Sequence, residues 1–236
     1  MRSLFISDLH LSQHNPQVAA GFLRFLQTTA LEAQQLYILG DFFDAWIGDD
    51  DDTAELVPIK NALKAYSQKS KLYFLRGNRD FLVGDRFAEE VGAELLSDMH
   101  YQDVAGRPAV ILHGDTLCTE DTEYLQFRAM VHSPQWQQQV LALPLPQRRQ
   151  MAADLRSKSQ SLNAMKADDI MDVTPAEVDR IMSEANATLM IHGHTHRPKR
   201  HALADGRERI VLGDWHDTGW YLSATENTLE LVEFEL

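Results

Sequence analysis

The chain has 236 residues, 44% of them hydrophobic, which is enough to bury one full-sized core and favours a single domain with room for a subdomain. No apolar run approaches the roughly 18 residues a membrane span needs, and the N-terminus enters a strand without a basic-then-apolar leader. Cys118 stands alone, so no internal disulfide forms and a reducing compartment, by default the cytoplasm, is expected. With 22 basic and 35 acidic residues the net charge is −13, which on average repels nucleic acid and anionic lipid.

In chain order, residues 2–7 read as a short buried strand. Residues 16–30 carry Val18, Phe22, Phe25 and Leu26 at helical spacing behind Pro16, a helix-start signal. Residues 35–39 are a second strand, 54–68 a helix and 71–75 a third strand, an alternation that predicts an α/β sheet with crossover helices. Strands are also expected at 109–113 and 188–192. The C-terminal part differs, with short strands at 199–204, 208–213, 219–225 and 229–234 and no helices between them. Asp205-Gly206 marks a hairpin turn. These strands predict an antiparallel stretch that completes a second sheet. Residues 119–185 break the rhythm: no strand pattern occurs, and Pro134, Pro144 and Pro146 punctuate a helical composition. This is expected to be a helical insertion acting as a lid, returning through a helix from Thr174-Pro175, with the core formed by 1–118 and 186–236. Two basic clusters, Arg148, Arg149, Arg156 and Lys158, and Arg197, Lys199, Arg200, Arg207 and Arg209, are either solvated surface or a local patch for phosphates.

Five short segments lie where strand patterns end: Asp8-Leu9-His10, Gly40-Asp41, Gly77-Asn78-Arg79-Asp80, His113-Gly114-Asp115 and Gly193-His194-Thr195-His196. In α/β sheets, ligands bind at the carboxyl ends of strands, where loops converge. Asp8 and His10 leave one strand into one loop and can face one ion. Asp41 is the isolated carboxylate best suited to bridge two. Asn78 offers a carbonyl oxygen, and His113, His194 and His196 offer imidazole nitrogens. Mixed oxygen and nitrogen ligation suits Mn, Fe, Zn or Co better than Ca. Each segment alone is weak, but five in order at strand ends point to a two-metal centre for hydrolysing a phosphate ester or anhydride.

These five segments resemble the motif set of the calcineurin-like metallophosphoesterases. The resemblance implies a four-layer αββα sandwich with a dinuclear centre. It places Asp8, His10, Asp41 and His196 on one ion, and Asp41, Asn78, His113 and His194 on the other, with Asp41 bridging. It makes Asp41, Asn78, Arg79 and His113 the catalytic set and two Mn²⁺ ions the cofactor. One residue departs from the common pattern: Arg79 stands where the family usually has histidine. Arginine cannot donate a proton, because its pKa exceeds about 12. It can clamp a phosphate through two hydrogen bonds. A leaving group that needs no protonation is then expected, and a phosphate monoester, with a second pKa of about 6, is one. The substitution points from phosphoesters toward diphosphates.

The insertion narrows the choice. Leu117-Cys118-Thr119-Glu120-Asp121, Tyr124-Leu125-x-Phe127-Arg128, Arg156-Ser157-Lys158-Ser159, Asn163-x-x-Lys166 and Ile191 to Pro198 are similar to the family's diphosphatase branch of lipid A biosynthesis. That resemblance implies the substrate UDP-2,3-diacylglucosamine, attack of metal-activated water on the α-phosphorus, and the products UMP and 2,3-diacylglucosamine 1-phosphate. It implies substrate contacts from Asn78, Arg79, Asp121, Ser159, Asn163, Lys166 and His194, and peripheral attachment to the cytoplasmic face of the inner membrane. No nucleic-acid or protein partner is expected. Independently, Trp46, Phe81, Leu82, Tyr124, Phe127, Met130 and Trp136 either line an apolar groove for acyl chains or pack the insertion's own core. A soluble nucleotide is the competing substrate class. A non-catalytic scaffold would be expected to lack ligands, whereas all seven are present.

Overall fold

The computed structural model describes residues 1–51, 53–163 and 172–236, with 160–163 described by backbone alone. Strands β1 (Ser3–Ile6), β2 (Gln35–Leu39) and β3 (Lys71–Leu75) alternate with helices α1 (Pro16–Gln27) and α2 (Val57–Ser67), as the sequence pattern predicts. After β3 come α3 (Asp85–Val91), β4 (Ala93–Leu95), β5 (Met99–Val104) and β6 (Arg107–Leu112). The helical stretch follows as α4 (Thr122–Val131), α5 (Pro134–Leu141), α6 (Leu145–Asn163) and α7 (Pro175–Glu184). The chain ends with β7 (Leu189–His192), β8 (Lys199–Ala202), β9 (Glu208–Val211), β10 (Thr218–Ala224) and β11 (Leu229–Glu235).

One sheet has the order β11-β10-β1-β2-β3-β4 and the other β5-β6-β7-β9-β8. The four C-terminal strands therefore do not stay together. β8 and β9 join the second sheet, β9 pairing parallel to β7, whereas β10 and β11 extend the first, with Ser3 opposite Ala224. The helix α3 and the strands β4 and β5 are elements that the sequence pattern does not announce.

Burial of both faces explains why the central strands read as continuous apolar runs. Alternate residues of the first sheet (Leu4, Ile6, Leu36, Ile38, Phe74) pack against α1–α3 through Phe22, Phe25, Leu63 and Phe87. Their neighbours Phe5, Tyr37, Leu39 and Leu75 face Ile111, Leu189, Ile191 and Ile210 of the second sheet. Val110, Leu112 and Met190 cover the far side of that sheet against Val178, Ile181 and Met182 of α7. The result is the expected αββα sandwich. Among the described residues no helix is long and apolar enough to cross a membrane.

Helices α4–α6 are fastened across the carboxyl ends of the strands. Val140, Trp136 and Met151 pack on the α1–α3 core. Arg148, only 4% exposed, donates to the Ile47 carbonyl at 2.7 Å and to both carboxylate oxygens of Asp50. Arg149 pairs with Asp51 and Arg156 with Asp44. In the other cluster Arg197 pairs with Asp172, Arg200 with Glu208 and Arg207 with Asp179. Most of both basic clusters is thus spent on internal ion pairs. Arg148→Ala leaves the Ile47 carbonyl without this donor, which should cost about 1–3 kcal/mol. The readout is faster limited proteolysis within α5 and α6; an unchanged cleavage rate would show that Arg148 is not needed to fasten them, the Arg149 and Arg156 pairs and the apolar contacts sufficing.

Candidate metal centre

Each expected donor sits just beyond a strand end, and the seven meet in one cluster. From the outside inward, His196 Nδ1 lies 3.6 Å from Asp214, and His196 Nε2 lies 3.4 Å from Asp8 Oδ1 and 3.2 Å from His10 Nε2. His10 Nδ1 is 3.9 Å from Asp41 Oδ2, and Asp41 Oδ1 is 3.5 Å from His113 Nε2. Asn78 Oδ1 then links His113 Nε2 at 2.8 Å to His194 Nδ1 at 2.9 Å. Two sets have donor atoms close enough for one ion: Asp8, His10 and His196, and Asp8, Asp41 and His113. Asp8 thus stands near both sets, as well as Asp41.

The backbone supports this convergence at a cost. Asp8, His10, Asp41, His194 and His196 all have left-handed φ, between 48° and 69°. Side chains with a Cβ rarely adopt that region, at about 1 kcal/mol or more apiece, and such residues gather at functional sites. The close approach also requires glycine at position 77, where a Cβ would stand 2.2 Å from Asp41 Oδ1. Asp80 holds the frame. Its fully buried carboxylate accepts from the backbone N–H of Gly77 (2.7 Å), Asp41 (3.2 Å), Phe42 (2.8 Å) and Phe43 (3.4 Å). Asp115 plays a similar part for the next loop, accepting from Tyr124 and from Arg128 Nε at 2.6 Å, which ties α4 to the His113 segment. Neither role is assigned by sequence reading; the only signal was an aspartate closing each motif.

Electrostatics match a cation site. Burial would raise the Asp8 carboxyl, but the His196 imidazole beside it, with His113 and His10, holds it well below the usual range. Burial, with Asp80 and Asp8 nearby, pushes Asp41 up to about 7 despite His113. Burial depresses His10 to about 3 and His194 to about 4, leaving both rings neutral as ligands must be. Burial also opposes charge on His113, yet Asp41, Asp8 and Asp115 raise it to about 9. Two buried atoms, Asp8 Oδ1 and His10 Nδ1, have no hydrogen-bond partner among the described residues. Such orphans call for an explanation, and with two imidazole nitrogens 3.2 Å apart they fit a divalent metal.

A metal held by the His113 ring would displace its proton, so ions should bind with proton release, and affinity should rise from pH 7 to 9 by up to about tenfold per unit for each proton. The metal-free fold moves the other way. His113 is held above its unfolded value of 6.5, so its stabilisation is complete below about pH 6.5 and lost as pH climbs through about 9. Calorimetric titration in two buffers of different ionisation enthalpy checks the release; identical heats would refute it.

The predicted substrate contacts divide. Asn78 and His194 are in the cluster. Arg79 lies beside it, Nε 3.5 Å from Asp41 and Nη1 3.6 Å from Asp44. Asp121 is buried and caps α4 by accepting from the Tyr124 N–H at 3.1 Å. Ser159 is exposed on α6. The Asn163 side chain and Lys166 lie outside the described residues. Of the expected groove, Trp46 and Leu82 belong to the main core, because their apolar surface is used against Phe43, Phe87 and neighbouring side chains. Phe81 stacks on His132 and tilts against Trp136, and Met130 is half exposed.

An αββα sandwich with such a cluster at its strand ends defines a metallophosphoesterase. The family model for calcineurin-like phosphoesterases matches residues 1–198, and the chain belongs to that family. It is a hydrolase, and membership implies a divalent metal at this site. At closer range the chain is 52% identical to the UDP-2,3-diacylglucosamine hydrolase of Cellvibrio japonicus over the full length of both. It is 50% identical to the UDP-2,3-diacylglucosamine hydrolase of Serratia proteamaculans over 99% of each. An archaeal phosphodiesterase superposes over the whole of both chains with a TM-score of 0.51 at 12% identity, which speaks for the fold alone.

Proposed function

We propose that this protein hydrolyses the diphosphate of UDP-2,3-diacylglucosamine to UMP and 2,3-diacylglucosamine 1-phosphate in lipid A biosynthesis. The observation that carries this reading is Arg79, a permanent cation at the edge of the donor cluster where a proton donor would serve an alkoxide leaving group. The full-length relatives of that name support it. Two Mn²⁺ ions are the proposed cofactor, one held by Asp8, His10, Asp41 and His196, the other by Asp41, Asn78, His113 and His194. When bound, they would lower the pKa of water and offset charge on the phosphate oxygens.

The chain's own residues then do the following. Asp80 fixes the loops that carry Asp41 and Asn78. Arg79 clamps non-bridging oxygens and favours the transition state, in which their charge grows. Water attacks the α-phosphorus in line and releases a proton to solvent as the new P–O bond forms and the P–O bond to the bridging oxygen breaks. The sugar 1-phosphate departs as an anion, so no acid is required. Asp121, Ser159, Asn163 and Lys166 are proposed to bind sugar and distal phosphate. Of the expected lid stretch 119–185, α7 belongs to the sandwich itself through Val178, Ile181 and Met182; α4–α6 are proposed as the lid, so that binding energy from the acyl chains places the diphosphate.

The test is hydrolysis in water enriched in heavy oxygen by metal-stripped protein resupplied with Mn²⁺. Label in UMP is expected. Label in the lipid phosphate would move attack to the β-phosphorus, and turnover of soluble nucleotides alone would reject the lipid substrate.

A lipid substrate also supports a cytoplasmic protein attached peripherally to the inner membrane. The exposed Met130 and Leu141 on α4 and α5 are proposed to dock there. The double variant Met130→Glu, Leu141→Glu should then lose several-fold in liposome co-sedimentation. Binding equal to the parent would count against this surface.

A further inference from the structure

We propose that His192 and Arg209 form a positioning pair that sets the two ligand-bearing loops of the second sheet. Neither residue reaches the donor cluster. His192 is the last residue of β7 and has no exposed surface. Its Nδ1 lies 2.8 Å from the Gly193 carbonyl, and its Nε2 lies 3.1 Å from Arg209 Nη1 on the neighbouring strand β9. Arginine only donates, so Nε2 is the acceptor and the ring proton sits on Nδ1, donated to Gly193. The ring is thereby neutral and fixed in one tautomer.

That hydrogen bond acts where the metal loop turns. The Gly193 carbonyl also accepts from the Thr195 N–H at 2.8 Å, and the Gly193 N–H donates to the His113 carbonyl at 2.8 Å. His194 and His196 follow with left-handed φ of 69° and 54°. The same ring lies under the neighbouring loop, because a Cβ on Gly114 would stand 2.7 Å from His192 Nδ1. One imidazole is therefore wedged between the His113-Gly114 turn and the Gly193-His194 turn. Arg209 is itself buried; Asp172 favours its charge from a distance, but among the described residues its one side-chain hydrogen bond is to the His192 ring. A buried cation whose side-chain partner is a neutral ring is costly, and the tautomer it enforces is the geometric return. Groups that hold ligands from behind change metal affinity by about 10–100-fold when removed.

This inference rests on the metal-site reading above. The experiment measures Mn²⁺ binding from the loss of the free-ion electron paramagnetic resonance signal, with melting of the metal-free protein followed in parallel. Arg209→Met should melt near the parent temperature, yet bind Mn²⁺ about 10–100-fold more weakly, and Arg209→Lys, which keeps a donor, should recover most of the loss. Should Arg209→Met fail to fold, His192→Gln takes its place under the same criterion. Its amide oxygen can accept from Arg209, but the flexible side chain lacks the rigid ring that holds the Arg209 and Gly193 contacts at once. A folded variant with affinity within twofold of the parent would overturn the pair's role while leaving the metal site standing. A parent protein that binds no Mn²⁺ would overturn both.

Discussion

Asp41→Ala is expected to purify with at most traces of metal and to lose turnover by a factor of about 10³ or more, since removing even an outer-shell partner of a metal site costs 10–100-fold. Asp41, like Asp8, is a carboxylate that reaches both halves of the cluster. Its Oδ2 is 3.9 Å from His10 and 3.5 Å from Arg79, and its Oδ1 is 3.5 Å from His113. The fold should survive. Burial raises the Asp41 carboxyl to about 7, so in the metal-free protein its stabilisation is present below the unfolded value of 3.8 and is lost as pH rises through about 7. At pH 8 the ionised group is a burden on the metal-free fold. Asp41→Asn should accordingly melt at or above the parent temperature in chelator, while failing to gain stability when metal is added. Metal content near the parent value, measured by atomic absorption, would remove Asp41 from the centre.

The five motif segments were legible because the strands before them are buried on both faces. Their apolar runs stop abruptly, and the chemistry begins at the next residue. Ile6 precedes Ser7-Asp8, Leu39 precedes Gly40-Asp41, and Leu112 precedes His113. The partition of the last four strands was not legible. Asp205-Gly206 specifies a turn between β8 and β9 but says nothing about which sheet edge receives them. That choice depends on pairings such as Ser3 with Ala224, which local sequence does not encode. Helix α3 was missed for a related reason. It opens at Gly84 without a capping side chain of its own, and Asp49 supplies the cap from elsewhere in the chain, accepting from the N–H groups of Gly84 and Phe87. Composition also misassigned Trp46 and Leu82, because an aromatic beside a site looks alike whether it faces ligand or core. The left-handed backbone at Asp8, His10, Asp41, His194 and His196 carries no sequence signature, since tertiary contacts impose it.

For Arg79→Ala the expected result is the converse of Asp41→Ala: metal content equal to the parent, and kcat lower by about 10²–10³ with little change in KM. The Arg79 N–H donates to Asp41 Oδ1 at 2.8 Å, a backbone contact that the substitution keeps, so the donor cluster should hold its shape. What disappears is a guanidinium 28% exposed at the cluster edge, kept in place by Asp41 and Asp44. Asp44 also receives Arg156 from α6, so the loop that orients Arg79 is tied to the helical stretch above it. Arg79→Lys retains charge without the planar fork and should recover only part of the rate. Arg79→His separates clamp from acid. It should stay impaired on the diphosphate, whose leaving group needs no proton, and gain on aryl or alkyl phosphodiesters, whose leaving oxygen does. If Arg79→Ala turns over the diphosphate near the parent rate, Arg79 is not the clamp. If Arg79→His loses equally on both substrates, the residue at this position does not select the leaving group.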